Sequence, residues 1–155
     1  MTEAAREHFD RLLEDVLEGL PRQVRALIDE VPLVVLDRPT PEMIADLKRE
    51  GTLEPDADGM DLCGLHTGTS LVERSVETEG GRLPDQVHIF REGIVALALG
   101  DDSAAWEREC EAARATGGGV EGDEAIYEEI RITVLHELGH HFGLGEEDLD
   151  ELGYA

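Results

Sequence analysis

Apolar residues recur at helical spacing from the start of the chain, as they do along one face of an amphipathic helix. The pattern predicts a first helix over residues 2–19, with Thr2 as its N-cap and Gly19 at its end. Pro21 suits the first turn of a second helix, PRQVRALIDE. The chain is therefore expected to begin with two consecutive helices.

A continuous run of branched apolar residues, VPLVVLD at 31–37, predicts a buried strand. Thr40 then caps a helix that is expected to end near Glu50. Much later in the chain, Asp102 or Ser103 is the expected cap of a further helix. Helices and strands are thus mixed along the sequence.

The middle of the chain carries further strand patterns. GLHTGTSLVERS at 64–75 predicts a turn followed by a short strand, and LPDQVHIF at 83–90 alternates, with Val87 and Ile89 on one face. EGIVALAL at 92–99 is expected to continue the strand character. The pattern leaves open whether the last two segments form a hairpin.

The last long periodic segment, from about Asp123, predicts a helix with two different faces. Its apolar stripe consists of Ile126, Ile130, Val134 and Leu138. His136 and His140 lie roughly 200° around the helix from that stripe. We therefore expect one face to be anchored in the core while the other presents two imidazoles to a cleft.

The size and composition of the chain are those of one globular domain. It has 155 residues, of which 41% are hydrophobic, and shows neither an internal repeat nor a linker. We predict a single domain over residues 1–155 of the α/β (α+β) class. It is expected to hold a small mixed sheet and a C-terminal helix that carries the candidate site.

The charge balance restricts the classes of molecule that the protein is expected to bind. Thirteen basic residues against 37 acidic ones give a formal net charge of −24. So acidic a surface is expected to repel nucleic acid and anionic membranes, because both are bound through cationic contacts. The acidity fits either a preference for cationic substrates or a salt-rich cytoplasm, or simply an ordinary acidic protein.

The cysteines and the N-terminus favour a cytoplasmic protein. Cys63 and Cys110 are far apart and form no CxxC motif, so the sequence suggests no disulfide framework. The segment MTEAAREHFD resembles no signal peptide, and the longest apolar run, at 94–99, is too short to span a membrane. The oligomeric state cannot be predicted.

The candidate chemistry lies in HELGH at 136–140, which matches HExxH on a helix. Histidines four residues apart stand one turn apart and can both bind one tetrahedral zinc ion. Glu137, beside the first histidine, can take a proton from zinc-bound water, and the resulting hydroxide can attack a polarised peptide carbonyl. The motif therefore predicts a zinc peptidase, with His136 and His140 as ligands and Glu137 as general base.

The third ligand is harder to predict. Only 15 residues remain, from His141 to Ala155, too few for a glutamate from a distant second helix. Gly143 lets the chain reverse just past His140, so Glu146 can return to the metal. Because helix ends are uncertain by one or two positions, the neighbouring acids, Glu147 and Asp148, remain alternatives.

The other histidines receive weaker predictions. His141 is expected to be structural or to support the site from behind. The remaining three, His8, His66 and His88, are by default surface or core residues, although His66 lies in a polar turn and could line the site.

RITVLHELGHHFGLGEEDLDELGY, with GLHTGTSLVERS and LPDQVHIF upstream, resembles the minimal zincin-like metallopeptidase family of small bacterial and archaeal proteins, over most of residues 5–155. The resemblance implies a compact zincin α/β fold and a single Zn²⁺ per chain. The peptidase chemistry of the motif predicts a peptide or protein substrate. The positions that match its HExxHxxGxx-acid motif are His136, Glu137, His140, Gly143 and Glu146. The family often has aspartate in place of Glu146, and the glycine run at 117–119 looks like an insertion.

Two other functions compete with a peptidase. One is a metal-dependent ribonuclease resembling the rRNA-maturation hydrolases, which share the histidine spacing. Those use a third histidine that is absent from this motif, and the charge of −24 opposes RNA binding. The other is a non-catalytic, zinc-stabilised binding module. In such a module four protein ligands would fill the coordination sphere of the metal, whereas three protein ligands and a water indicate catalysis.

Overall fold

The computed structural model describes residues 1–68 and 86–152. The helices are α1 (Glu3–Gly19), α2 (Arg22–Ile28), α3 (Pro41–Glu50), α4 (Arg91–Leu99), α5 (Ser103–Ala113), α6 (Asp123–His141) and α7 (Glu146–Leu152), with a 3₁₀ turn at Gly100–Asp102. The strands are β1 (Leu33–Leu36), β2 (Gly64–Thr67) and β3 (Gln86–Phe90). The strand predicted within 69–75 and the beginning of LPDQVHIF lie outside the described residues.

The strands form a small mixed sheet in the order β1-β3-β2. Strand β3 pairs in parallel with β1 and antiparallel with β2, so that Ile89 is opposite both Val35 and Gly64. This architecture of helices around a small mixed sheet confirms the predicted α+β class. In the described part of the chain, β2 forms one edge of the sheet.

The expectation that EGIVALAL continues the strand is wrong, because this segment is helix α4. A short apolar run does not distinguish a strand from a buried helix by periodicity alone. Tertiary packing favours the helix: α4 buries Ile94 and Val95 and lies so close to the segment before β2 that a Cβ at Gly93 would be 2.0 Å from the Leu62 carbonyl oxygen. The two segments, whose pairing the pattern left open, are therefore a strand followed by a helix.

Strand β3 is buried on both faces. Val87 and Ile89 are fully buried, as their shared face predicted, but His88 and Phe90 on the other face are buried as well. A central strand covered on two sides reads as a nearly continuous apolar run, which explains why the alternation in the sequence is weak.

Two predicted helix caps, Thr2 and Thr40, make side-chain capping bonds, whereas Asp102 precedes α5 without one. The Thr2 hydroxyl accepts from the Ala5 N–H, and the Thr40 hydroxyl accepts from the Met43 N–H. Helix α2 begins at Arg22, one residue later than predicted. The first three helical predictions are thus confirmed to within a residue or two.

Helix α6 is the central helix of the fold. Its stripe of Ile126, Ile130 and Val134 is completely buried, as predicted from the four-residue spacing. The helix packs against α1 and α4 on one side and against edge strand β2 on the other. The core thereby fixes the position of the HExxH segment in the last turns of α6.

A polar cluster around Asp123 holds the first turn of α6. Its carboxylate accepts hydrogen bonds from His8 Nε2 at 2.9 Å, Trp106 Nε1 at 3.1 Å and the Val120 N–H at 2.8 Å. Arg11 donates to His8 Nδ1, which leaves the proton on Nε2 for Asp123. The cluster joins α1, α5 and α6.

Candidate metal centre

The chain reverses directly after the last turn of α6. The helix ends at His141, Phe142 caps it, and Gly143 adopts a left-handed conformation with φ of 82°. The Leu144 N–H then bonds back to the Gly139 carbonyl, and α7 begins at Glu146. This reversal, predicted from Gly143, brings Glu146 back towards the histidines.

Three potential ligand atoms converge at this point. His136 Nε2 lies 3.0 Å from His140 Nε2. Glu146 places one carboxylate oxygen 3.2 Å from His140 Nε2 and the other 3.7 Å from His136 Nε2. In the described residues, these are the histidine and carboxylate groups that meet the geometry of a metal site, with one ligand atom from each lying within 4.8 Å of the others.

A backbone contact fixes which nitrogen of His140 faces the cluster. His140 Nδ1 lies 3.2 Å from the Leu144 carbonyl oxygen, and because a carbonyl can only accept, Nδ1 carries the proton. The lone pair of the neutral ring is therefore on Nε2, which points at His136 and Glu146. A hydrogen bond of this type commonly orients a metal-binding histidine.

The alternative third ligands are placed differently from Glu146. Asp148 accepts a hydrogen bond from the Gly145 N–H at 2.9 Å, which commits its carboxylate to capping the turn. Glu147 is exposed and does not belong to the cluster of three donors. The geometry therefore favours Glu146 among the three acids.

The chemistry of the three donors fits Zn²⁺. Two imidazole nitrogens and one carboxylate oxygen are among the ligands that zinc prefers, and three protein ligands leave a fourth tetrahedral position for water. Glu146 is largely exposed, with 74% of its side-chain surface accessible, so the cluster opens to solvent on that side.

Glu137 lies beside this cluster but is buried, with 7% of its surface exposed. Burial raises the pKa of its carboxyl to about 7, and the charge of Glu146 adds to the rise. A positive charge on His136 and a hydrogen bond from the His66 backbone N–H both lower the pKa of Glu137. A carboxyl group with a pKa near neutrality is suited to accept and return a proton.

The edge strand β2 packs against the side chain of Glu137. A Cβ at Gly64 would lie 2.7 Å from Cγ and 2.8 Å from Oε1 of Glu137, so only glycine permits this approach. The next inward-facing position, His66, supplies the backbone N–H. The sequence pattern did not predict this role for Gly64: residues 64–67 were expected to form a turn, and that expectation is wrong because they pair with β3 as strand β2.

Of the remaining histidines, His8, His88 and His141 are buried and His66 is partly buried. His141 is 4% exposed, and its ring lies edge-on to His66 with centroids 5.5 Å apart, which matches the predicted structural place behind the site. His66 lines the cleft, His8 belongs to the Asp123 cluster, and His88 lies in the core. Burial lowers the pKa of His88, because desolvation disfavours the charged imidazolium.

The donors face a cleft of about 420 Å³ between α3, β2 and the end of α6. Its lining residues are Leu47, Glu50, Thr52, Leu53, Leu62, Gly64, Leu65, His66, His136, Glu137, His140 and Glu146. A cleft that combines apolar side chains with convergent polar groups is suited to bind a small molecule or a peptide.

Both cysteines are free, so no disulfide joins them. Burial, followed by the nearby charges of Glu129, Asp61 and Glu137, raises the pKa of the Cys63 thiol to about 12. A thiol that keeps its proton is a poor nucleophile. Cys63 is therefore not a candidate nucleophile that could replace the chemistry of the histidines and Glu137.

The family follows from comparison with known proteins. The sequence model of the zincin-like metallopeptidase family matches residues 28–112 and 114–154, which include the sheet, the cleft and all three donors. The chain belongs to this family. Zincins bind zinc, and the family as a whole indicates a metal-dependent peptidase. No curated protein matches the chain significantly.

A membrane-spanning segment is not found among the described helices. None of the helices within residues 1–68 and 86–152 combines the length and the apolar character needed to cross a bilayer.

Proposed function

We propose that this zincin hydrolyses peptide bonds, with one Zn²⁺ held by His136, His140 and Glu146 and with Glu137 as general base. The observation that carries the proposal is the convergence of three donor atoms next to a buried carboxyl group. When bound, zinc acidifies a water molecule and polarises the carbonyl of the substrate.

Each residue of this chain has a separate part in the proposed reaction. His140 is held by the Leu144 carbonyl with its Nε2 lone pair towards the metal position. Glu137 takes the proton of the attacking water at its carboxylate and passes it to the departing amine. The His66 N–H keeps that carboxylate aimed at the cleft.

The donor set supports a peptidase over the two competing functions. In the described residues the cluster has three donors rather than the four that close a structural zinc site. Its third donor is a carboxylate, unlike the third histidine of the ribonucleases with this spacing. The net charge of −24 further opposes RNA as substrate.

The proposal is tested by profiling a diverse peptide library with the zinc-loaded protein, at low salt and in molar KCl. We expect cleavage products in the loaded sample and none after zinc has been removed with a chelator. Cleavage that survives complete metal removal, or a loaded protein that cleaves no peptide at either salt concentration, would contradict the proposal.

A further inference from the structure

A second cavity, of about 250 Å³, lies next to the metal cleft and shares four of its residues. The shared residues are Leu62, Gly64, His136 and Glu137. The other residues that line it are Cys63, Leu97, Glu129, Ile132 and Thr133. We call it the Glu129 pocket. The catalytic glutamate proposed above therefore stands between two adjoining cavities.

The Glu129 pocket follows one face of α6 away from the metal position. Glu129, Thr133 and His136 are spaced four and three residues apart, which places them in line along the helix. Seven residues separate Glu129 from His136, a distance of about 10 Å along the helix axis. A substrate side chain that starts near Glu137 and reaches Glu129 must be long.

The walls of the pocket are apolar. They are formed by Leu62, Cys63, Leu97 and Ile132. Leu97 is 63% exposed, and it is the one large hydrophobic side chain that the described residues leave exposed to this degree. Because Leu97 lies on the pocket wall, its exposed side chain can contact an apolar part of a bound substrate.

The carboxylate of Glu129 has no partner in the pocket. Within residues 1–68 and 86–152, no cation or hydrogen-bond donor pairs with it, although it is half-buried. Burial, and secondarily the charge of Glu128, raises the pKa of Glu129. By contrast, its neighbour Glu128 is exposed and is paired with Arg131 at 2.6 Å.

We propose that the Glu129 pocket receives a lysine or arginine side chain of the substrate, with the apolar stem along Leu97 and Ile132 and the cationic head at Glu129. This substrate preference rests on the peptidase function proposed above. Long basic side chains bury an apolar stem while a charged head finds a polar partner, which matches an apolar pocket with a carboxylate at its far part.

Charge and desolvation select this occupant over others. An aliphatic side chain would fill the walls but would bury the Glu129 carboxylate further without a partner, which costs free energy. An acidic side chain would be repelled by Glu129 and by the net charge of −24. A cation satisfies the carboxylate and is attracted by the protein as a whole.

The test measures binding and needs no catalysis. Blocked pentapeptides, acetyl-Ala-Ala-Xaa-Ala-Ala-amide with Xaa as arginine, lysine, norleucine or glutamate, are titrated by calorimetry into the zinc-free full-length protein. We expect the arginine and lysine peptides to bind about tenfold or more tightly than the norleucine peptide, as a charge-assisted pair allows. Glu129→Gln should remove that advantage and leave norleucine binding unchanged or stronger.

Glu128→Gln is the matched control, since it removes the same charge one residue away, outside the pocket. It should change the affinity for the arginine peptide by less than about twofold, as expected for an exposed, screened charge. Thermal unfolding of both variants checks that they are folded.

Three results would overturn the assignment: equal weakening by both variants, norleucine binding as tight as arginine binding, or no measurable binding of the basic peptides. A separate result decides whether the proposed peptidase function fails. If the arginine peptide binds through Glu129 but the zinc-loaded protein cleaves neither it nor any library peptide, the pocket stands and the peptidase function fails.

Discussion

The α-carbon of Gly64 lies against the carboxylate of Glu137, so close that a methyl group on Gly64 would stand 2.8 Å from Glu137 Oε1. The contact joins edge strand β2 to helix α6. Two residues along β2, the His66 N–H donates to the same carboxylate. The strand therefore limits the position of the proposed general base from one side and holds it by a hydrogen bond from another.

Gly64→Ala should displace Glu137 and lower kcat for peptide hydrolysis by about 100-fold, because a shift of about 1 Å in a reacting group costs this much. The zinc content should be unchanged, since Gly64 is no proposed ligand. Its backbone is ordinary strand, so the effect is steric and involves no forced left-handed conformation.

Gly118→Ala is the control for this variant. A Cβ at Gly118 meets Thr116 Oγ1 at 3.7 Å, an ordinary contact, in the loop between α5 and α6. It should keep the wild-type kcat. If Gly64→Ala hydrolyses peptides as fast as Gly118→Ala does, the strand does not position Glu137.

The sequence was informative where a feature is local. The stripe of α6, the spacing of its histidines and the reversal at Gly143 all depend on residues within one or two turns of each other. Those features sufficed to predict that Glu146 lies beside the histidines, as it does. Whether it binds zinc remains a prediction.

What could not be predicted depends on contacts between segments distant in the sequence. Gly64 meets Glu137 only because β2 occupies the sheet edge facing α6, and no local pattern specifies the order β1-β3-β2. The helical conformation of α4 is not predicted by its apolar run for the same reason, since α4 packs through Gly93 against Leu62, which is distant in the sequence. The Glu129 pocket likewise combines α4, α6 and the segment before β2.

Glu146→Ala should weaken zinc binding by orders of magnitude, because the cluster loses one of three proposed ligands. His136→Ala and His140→Ala should lose the metal as well. The measurement is a zinc titration of the purified protein against a competing chelator, together with elemental analysis, which should give about one zinc per wild-type chain.

Glu147→Ala is the natural comparison for the third ligand, being an adjacent acid of the same length and charge outside the donor cluster. Its zinc affinity should stay close to that of the wild type. The reverse ranking of the two variants would assign the ligand to Glu147.

Asp123→Ala should lower the free energy of unfolding by about 3 kcal/mol, because three donors, from His8, Trp106 and the Val120 backbone, lose their acceptor together. Urea unfolding measures the change. Asp102→Ala removes an exposed carboxylate that makes no side-chain capping bond, and it should cost less than about 0.5 kcal/mol. If both variants lost the same free energy of unfolding, the Asp123 cluster would have no special role in stabilising the fold.

The net charge of −24 predicts that stability rises with salt, since KCl screens the repulsion between carboxylates. Melting temperatures should therefore increase from low to molar KCl. A flat curve would favour an ordinary acidic protein over one adapted to a saline cytoplasm.

The central claim is that Glu137 is the general base of a zinc peptidase, and Glu137→Gln tests it most directly. Glutamine preserves the size of the side chain but cannot take a proton from water. The measurement is peptide hydrolysis by the zinc-loaded variant, with its zinc content determined on the same sample. The account predicts about one zinc per chain and no hydrolysis above background; a zinc-loaded variant that cleaves peptides at the wild-type rate would contradict it.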